Sequence, residues 1–323
     1  EFTAEWYKNT SEDLLYAVPV PEQAGVSNTT VTMNAASMNN SGFEFSATYR
    51  NRDHDFKYEL SANLSTLRNR VTSLGFGTDS YISGAYITNV GQEIGQFYGW
   101  AYEGIARTQE DLDNHATQEG AQIGDCLYKD ISGPDGKPDG KVDANDQVVL
   151  GSGMPKIHFG LNARFEYKRF DLSIATFGAL NYHVSDDIYN SLNSCYGWGN
   201  KEVGMLDANR FSEDGSTYLS NVPRTYVTNS ASLGWNDLFS SRKIQNAAYW
   251  KIANVELGYN FPNEWFGKYV SDVRFYVSAQ NLHTFTGYHG YNVDYAGGTF
   301  TPGYNFCSYP TARTFMCGVH FTF

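Results

Sequence analysis

The stretch Arg313-Thr-Phe-Met-Cys-Gly-Val-His-Phe-Thr-Phe323 decides how the rest of the chain is read. Phe315, Cys317, Val319, Phe321 and Phe323 are apolar, while Thr314, Met316, Gly318, His320 and Thr322 between them are polar, small or flexible. A period of two gives a strand one greasy face and one mixed face. A bare apolar strand at a sheet edge templates aggregation, whereas a strand that closes a barrel has no free edge. The stretch is therefore expected inside a barrel.

Working outward, the same alternation recurs. Phe43, Phe45, Ala47 and Tyr49 oppose Glu44, Ser46, Thr48 and Arg50. Phe56, Tyr58, Leu60, Ala62 and Leu64 oppose Lys57, Glu59, Ser61, Asn63 and Ser65. Ile157 to Lys168 and Phe170 to Gly178 form a hairpin around Arg169, and Val273, Phe275, Val277 and Ala279 mark a further strand. A first strand runs from Phe2 to Val18, where Pro19 and Pro21 stop it for want of a ladder N–H. Tyr249 to Phe261 changes apolar parity between Ile252 and Val255, which predicts a bulge near Asn254. The total is about eight strands.

Connections alternate in length. Asn51–Asp55, Arg169 and Pro262–Ser271 are short; Pro19–Asn40, Arg68–Pro155, Val184–Asn246 and Gly287–Pro310 are long. Short turns at one end and long loops at the other are the layout of an outer-membrane barrel, periplasmic turns below and extracellular loops above. Parity then places both chain ends in the periplasm. Eight strands alone close a barrel already filled by its own side chains, so loops this long suit a wider one. The expected fold is all-β: a transmembrane antiparallel β-barrel whose carboxyl-terminal part is residues 1–323, without a signal peptide.

Composition agrees. Charged residues are 18% and aromatics 16%, with 24 Tyr, 21 Phe and 31 Gly, a β-rich balance. No apolar run approaches the ~18 residues of a membrane helix, and the mean hydropathy of −0.45 suits strands that alternate. A net charge of −12 argues against a nucleic-acid partner, which needs clustered Lys and Arg. Cys126, Cys195, Cys307 and Cys317 lack zinc spacing; Cys195 and Cys307 fall in segments on the same outer side, and their pairing stays open. A soluble β-sandwich or lectin-like domain also alternates, but would not usually gather all its long insertions at one end.

Three regions resemble SusC-like TonB-dependent transporters: Trp6-Tyr-Lys-Asn-Thr-Ser-Glu-Asp-Leu-Leu-Tyr16, Asn39-Asn-Ser-Gly-Phe-Glu-Phe45, and Tyr249-Trp-Lys-Ile-Ala-Asn-Val-Glu-Leu-Gly-Tyr-Asn-Phe-Pro262 followed by Val273 to Leu282. Gly91 to Trp100 and the Asp-rich stretch from Asp135 to Asp146 look similar too. His283 departs from the pattern, where another aromatic or apolar residue is usual. The resemblance implies a barrel of roughly 22 strands with a plug, placed in the bacterial outer membrane among its lipids. It also implies a SusD-like surface lipoprotein partner, energy from TonB through the plug, and import of oligosaccharides or, alternatively, peptides. A surface adhesin or soluble carbohydrate-binding module is the competing class.

Candidate site residues follow. Counted from Asp135, carboxylates fall at positions 1, 5, 9 and 12 (Asp135, Asp139, Asp143, Asp146), with Gly140 at 6. Hard cations need oxygens around a tight turn, so a structural calcium ion is expected there, with the Lys141 carbonyl and Asp130 completing the set. Lys137 at position 3 and Asp at 12 depart from that motif, and a solvated acidic turn reads equally well. For substrate, Tyr196, Trp198 and Asn200, and Tyr288, His289, Tyr291, Asp294 and Tyr295, offer rings to stack on sugars and groups to bond hydroxyls; such rings also pack loops or face a protein partner. Lys57, Glu59, Arg164, Glu166 and Arg274 are expected toward the lumen. No catalytic motif stands out, so no enzyme is expected.

Overall fold

The computed structural model describes residues 1–19, 30–75, 77–195, 199–225, 234–266, 270–294 and 297–323. Eight long strands carry it: β1 (Phe2–Pro19), β2 (Thr30–Asn51), β3 (Phe56–Thr66), β4 (Ile157–Tyr167), β5 (Phe170–Leu180), β6 (Tyr249–Asn260), β7 (Asp272–Thr286) and β8 (Thr314–Thr322). Each pairs antiparallel with the next, so the sheet is a meander in chain order with β1 and β8 at its edges. A short strand, Arg68–Ser73, continues along β2 beyond β3.

The register explains the alternation. Tyr49, Leu60, Ala163, Ile174, Val255, Ala279 and Phe315 stand opposite one another in a single row across seven strands. One residue along, Arg50, Glu59, Arg164, Ser173, Glu256, Ser278 and Met316 form the next row, on the other face. A slip of one residue anywhere would exchange the two faces, so the patterning fixes the pairing. The apolar face is open rather than covered by a second sheet: Tyr49 is 59%, Leu60 43% and Phe315 70% exposed. That excludes a sandwich, whose greasy face would be buried.

The predicted bulge lies at Ala253, next to the expected Asn254, because both ladders of β6 step from Ile252 to Asn254. Parity reverses there. Trp250 and Ile252 take the outer face above it, and Lys251 turns inward.

One expectation is corrected. The loop read as Pro19–Asn40 is largely strand: β2 begins at Thr30 and pairs with β1 up to Pro19. Residues Thr30–Ser41 are rich in Thr, Asn and Ser, and their apolar parity switches from Val31 and Met33 to Ala36 and Met38 across a register shift, so the alternation is short and broken.

The three longer connections described fold upon themselves beyond one end of the wall. Residues 67–156 build a four-stranded sheet from Ser80–Ser83, Tyr86–Asn89, Gln96–Trp100 and Gln147–Ser152, and a ribbon from Tyr102–Ile105 and Cys126–Tyr128. Two cores lock the connections together. Cys126, Tyr128 and Val142 pack with Trp235 and Leu238, and Tyr182, Val184, Ala247, Tyr288 and Val293 form the other with the tops of β5 and β6. All four cysteines are free thiols, Cys195 buried and Cys307 exposed.

Candidate functional site

Where the loops meet the inner face of the wall they leave a cavity of about 660 Å³. The wall contributes Met38, His158, Phe177, Ala179 and Tyr249; the loops contribute Ile94, Met154, Pro155, Tyr182, Val293 and Asp294. Most of this lining is apolar, with polar groups at few points.

The main polar point is an ion pair. The Lys251 ammonium, turned inward by the bulge, lies 2.5 Å from the Asp294 carboxylate, with the Lys251 side chain only 4% exposed. It also stands 5.8 Å from the centre of the Phe177 ring, whose face attracts a cation. A buried ammonium is tolerated only with such partners. Beside it the Tyr182 hydroxyl donates to the Val293 carbonyl at 3.0 Å. Burial, then the Asp294 charge, raise the Tyr182 pKa, so the phenol stays a donor. The segment carrying Asp294 is thereby pinned to the wall from two sides.

A second anchor sits nearby. Tyr288 hydrogen-bonds the Asp186 carboxylate through its hydroxyl, and the Asn305 amide donates to both, at 2.8 and 3.1 Å. Asp186 also accepts from the Tyr189 backbone N–H at 2.9 Å, capping the short helix Asp187–Leu192. Burial and the Asp186 hydrogen bond push the Tyr288 phenol pKa up.

Of the eight residues expected to meet substrate, Asp294 alone among the described ones lines the cavity. Tyr288 is buried and committed to Asp186. His289 stacks on Tyr189, ring centres 5.9 Å apart, and Tyr291 projects 65% exposed. Asn200 is exposed and stands apart from the cavity lining. Tyr196, Trp198 and Tyr295 lie outside the described residues.

The Asp-rich loop holds itself by hydrogen bonds. Asp146, fully buried, accepts from the backbone N–H groups of Ile131, Ser132 and Asp143 at 2.7, 2.9 and 2.8 Å. Asp130 accepts from Asp139 and Gly140, Asp139 from Lys141, and Asp143 from Asn145. Asp135 is exposed. Among the described residues no three His, Cys, Asp or Glu side chains gather where one ion would sit. As arranged, the carboxylates of this donor set fit the loop's own N–H groups and do not encircle a calcium ion.

Below the cavity the inward charges pair among themselves. Arg274 bonds Asp171 at 2.5 Å and Glu256 at 2.8 Å, Arg50 bonds Glu59 at 2.7 Å, and Arg164 lies 3.1 Å from Glu166. Lys57 stands opposite Glu166 in the ladder.

An open apolar face, a polar face with paired charges, and loops folded over one mouth describe an arc of a transmembrane barrel. No family model matches the chain. It is 30% identical to the TonB-dependent receptor P3 of Formosa agariphila, over all of this chain and 32% of that protein. It is 25% identical to the TonB-dependent receptor SusC of Bacteroides thetaiotaomicron, over 98% of this chain and 29% of that one. The fold superposes on a structure described as the RagAB peptide transporter with a TM-score of 0.76 at 22% identity, covering all of this chain and 33% of that one. The proteins it resembles along its length are TonB-dependent receptors, SusC among them. It spans about a third of the length of the receptors it matches.

Within this receptor fold, sequence reading missed Lys251 and Phe177. Both sit in strands correctly placed, and the parity change at Ala253 was the available signal for Lys251. Phe177 is a large ring at an inward position of β5, opposite Gly160.

Proposed function

We propose that this chain forms part of the membrane wall and outer loops of a TonB-energised importer in the bacterial outer membrane, carrying oligosaccharides inward. The row from Tyr49 to Phe315 carries this reading: seven consecutive strands turn apolar side chains to one open face, which only hydrocarbon covers without cost. The carboxyl-terminal position in a barrel of roughly 22 strands, the plug and TonB, the periplasmic turns and extracellular loops, and the SusD-like surface lipoprotein belong to the same reading. The oligosaccharide assignment is supported by the open Phe177 ring beside His158 and Asp294, a face for a sugar with hydrogen-bonding groups at its edge.

Peptides are the second reading. Met38, Ile94, Met154 and Val293 offer the cavity an apolar floor that suits bulky amino-acid side chains, and the fold neighbour is described as a peptide transporter. Cells making the intact protein should accumulate fluorescent oligosaccharides, and lose that accumulation when a protonophore collapses the inner-membrane gradient. Accumulation of fluorescent peptides alone would transfer the assignment to peptides. Surface binding with no energised uptake of either would leave the adhesin reading in its place.

A further inference from the structure

On the outward face of β1 and β2 the apolar band ends in a cluster of cations. The two strands pair Ala4 with Phe45 and Trp6 with Phe43. The next rows up are Lys8–Ser41–Arg68 and Thr10–Asn39–Arg70, completed by the short strand Arg68–Ser73. Asn69 and Val71 are buried beneath the loops, so Arg68 and Arg70, alternating with them, take the outward side with Phe43. The Thr10 hydroxyl donates to the Asn39 amide oxygen at 2.8 Å across the same face. Lys8, Arg68 and Arg70 are all exposed, and strand spacing puts their Cα atoms within about 12 Å of one another.

These charges are unspent. Neither row contains an acidic side chain, and among the described residues none of the three cations has an ion-pair or hydrogen-bond partner for its side chain. On the inward face the opposite holds: Arg50, Arg164 and Arg274 are each held by carboxylates. The patch is a positive island on a chain of net charge −12. The row immediately below it is aromatic, Trp6 and Phe43, with Phe43 stacked on Phe45 at 6.2 Å. Exposed rings of this kind mark the boundary of hydrocarbon and water in a membrane barrel, which puts the cations level with the lipid headgroups on the loop side.

Further down the same face opens a hollow of about 660 Å³, floored by Ala47, Ala62 and Ala163 and walled by Leu161, Ile174 and Trp250. Small residues among large ones make it. Ser41 lies six residues above Ala47 on β2, about 20 Å along the strand. At a tilt near 40° that is about 15 Å of depth, the thickness of one hydrocarbon leaflet. A molecule that reaches from the cations to the hollow is therefore anionic at its head and aliphatic for the depth of a leaflet. Arginine forks fit phosphate oxygens two at a time, which favours phosphate as the anion.

We propose that Lys8, Arg68 and Arg70 bind the phosphate of an outer-leaflet lipid, whose acyl chains run down over Phe43 and Phe45 into the hollow at Ala47, Ala62 and Ala163. The proposal rests on the reading of the apolar face as membrane-facing with the loops outside, and it requires no transport.

The test titrates the intact protein in detergent with diphosphorylated lipid A, read by native mass spectrometry. Lipid A should bind, its dephosphorylated form about tenfold more weakly, and millimolar inorganic phosphate should not displace it. Lys8→Gln, Arg68→Gln and Arg70→Gln should each weaken binding about fivefold, and the three together about a hundredfold. Ala62→Phe fills the hollow without touching the charges and should weaken binding severalfold. Lys168→Gln, a cation beside an aromatic ring at the other end of the wall, should leave it unchanged. Equal binding of both lipids, displacement by phosphate, indifference to the three cations or to Ala62→Phe, or an equal loss with Lys168→Gln would each overturn the proposal. So would an acidic protein found on the patch instead and lost with the same substitutions. Insertion into neutral phosphatidylcholine vesicles separates the two readings. A protein that inserts but shows no phosphate preference sinks the lipid site alone; one that does not insert sinks the membrane-facing wall beneath it.

Discussion

The wall and the loops of this molecule follow opposite rules. In the wall, the large apolar side chains are the exposed ones, Phe2 and Phe315 each at 70%. In the loops, the largest fully buried side chains are Tyr128, Tyr182, Tyr218 and Phe97, packed as in a water-soluble protein. The wall is held by hydrogen-bond ladders that join all eight strands, interrupted only at bulges, and by what its apolar face meets outside the chain. The loops are held by their own cores and by buried polar anchors. Changes in one region should therefore leave the other standing, and the following substitutions are chosen to break that independence.

The largest effect is expected in the loops. Asp125, with a side chain 2% exposed, pairs with Arg224 at 2.6 Å and accepts from Asn236 at 2.8 Å. Asp125→Ala strands the guanidinium in a half-dry site and should cost about 3–5 kcal/mol locally. Hydrogen exchange should show the Cys126–Tyr128 amides losing protection while the β4–β5 ladder keeps it. Simultaneous loss in both would show that wall and loops unfold as one unit.

The reverse test charges the wall. Leu161 sits mid-strand in β4 on the apolar face, 46% exposed. Leu161→Arg should destabilise the protein refolded into lipid by about 2–4 kcal/mol. Asn162→Arg, one residue on and facing inward, should cost less than about 0.5 kcal/mol. Equal costs in a denaturant titration would remove the argument for a hydrocarbon-facing side.

The Asp130–Asp146 loop gives an intermediate effect with a pH signature. Burial pushes the Asp146 carboxyl pKa up, but hydrogen bonds from Ser132, Asp143 and Ile131 outweigh it and hold the group below the usual carboxylate value. A depressed folded pKa means stability present above the unfolded pKa and lost as pH falls through the folded one. Acidification should loosen the Ile131, Ser132 and Asp143 amides, once exchange rates are corrected for their intrinsic pH dependence. Asp146→Ala should remove that dependence and about 2–3 kcal/mol of local protection. Because the carboxylates serve the loop's own N–H groups, EDTA should leave the protection unchanged; a loss on chelation would restore the calcium reading.

How much was legible follows from the same contrast. Each wall strand meets apolar surroundings on one side and water or polar groups on the other, so Phe45, Leu64 and Phe159 advertise their face in the sequence and the register aligns them. Where a register shift breaks the alternation among Thr, Asn and Ser residues, as in Thr30–Ser41, the signal is lost and a strand reads as a loop. The loop sites were less legible because their roles depend on distant pairings. Tyr288 and Asp294 lie close in sequence, yet one is buried on Asp186 and the other lines the cavity against Lys251. Nothing local separates them.

The smallest expected effect tests the short-turn end, where local rules alone should govern. Tyr167 and Phe170 pair directly, leaving Lys168 and Arg169 as a two-residue turn. Lys168 has a φ of 55°, a left-handed conformation that costs a side-chain-bearing residue and favours glycine. Its ammonium lies 5.3 Å from the centre of the Tyr167 ring, a contact worth little at an exposed site. Relief of the backbone should exceed both the lost ring contact and the extra freedom glycine gives the unfolded chain. Lys168→Gly should stabilise the hairpin by up to about 0.5 kcal/mol, read as slower exchange at its last ladder amides. A loss of stability instead would mean that the cation on Tyr167, and not the turn's backbone, holds this end of the wall.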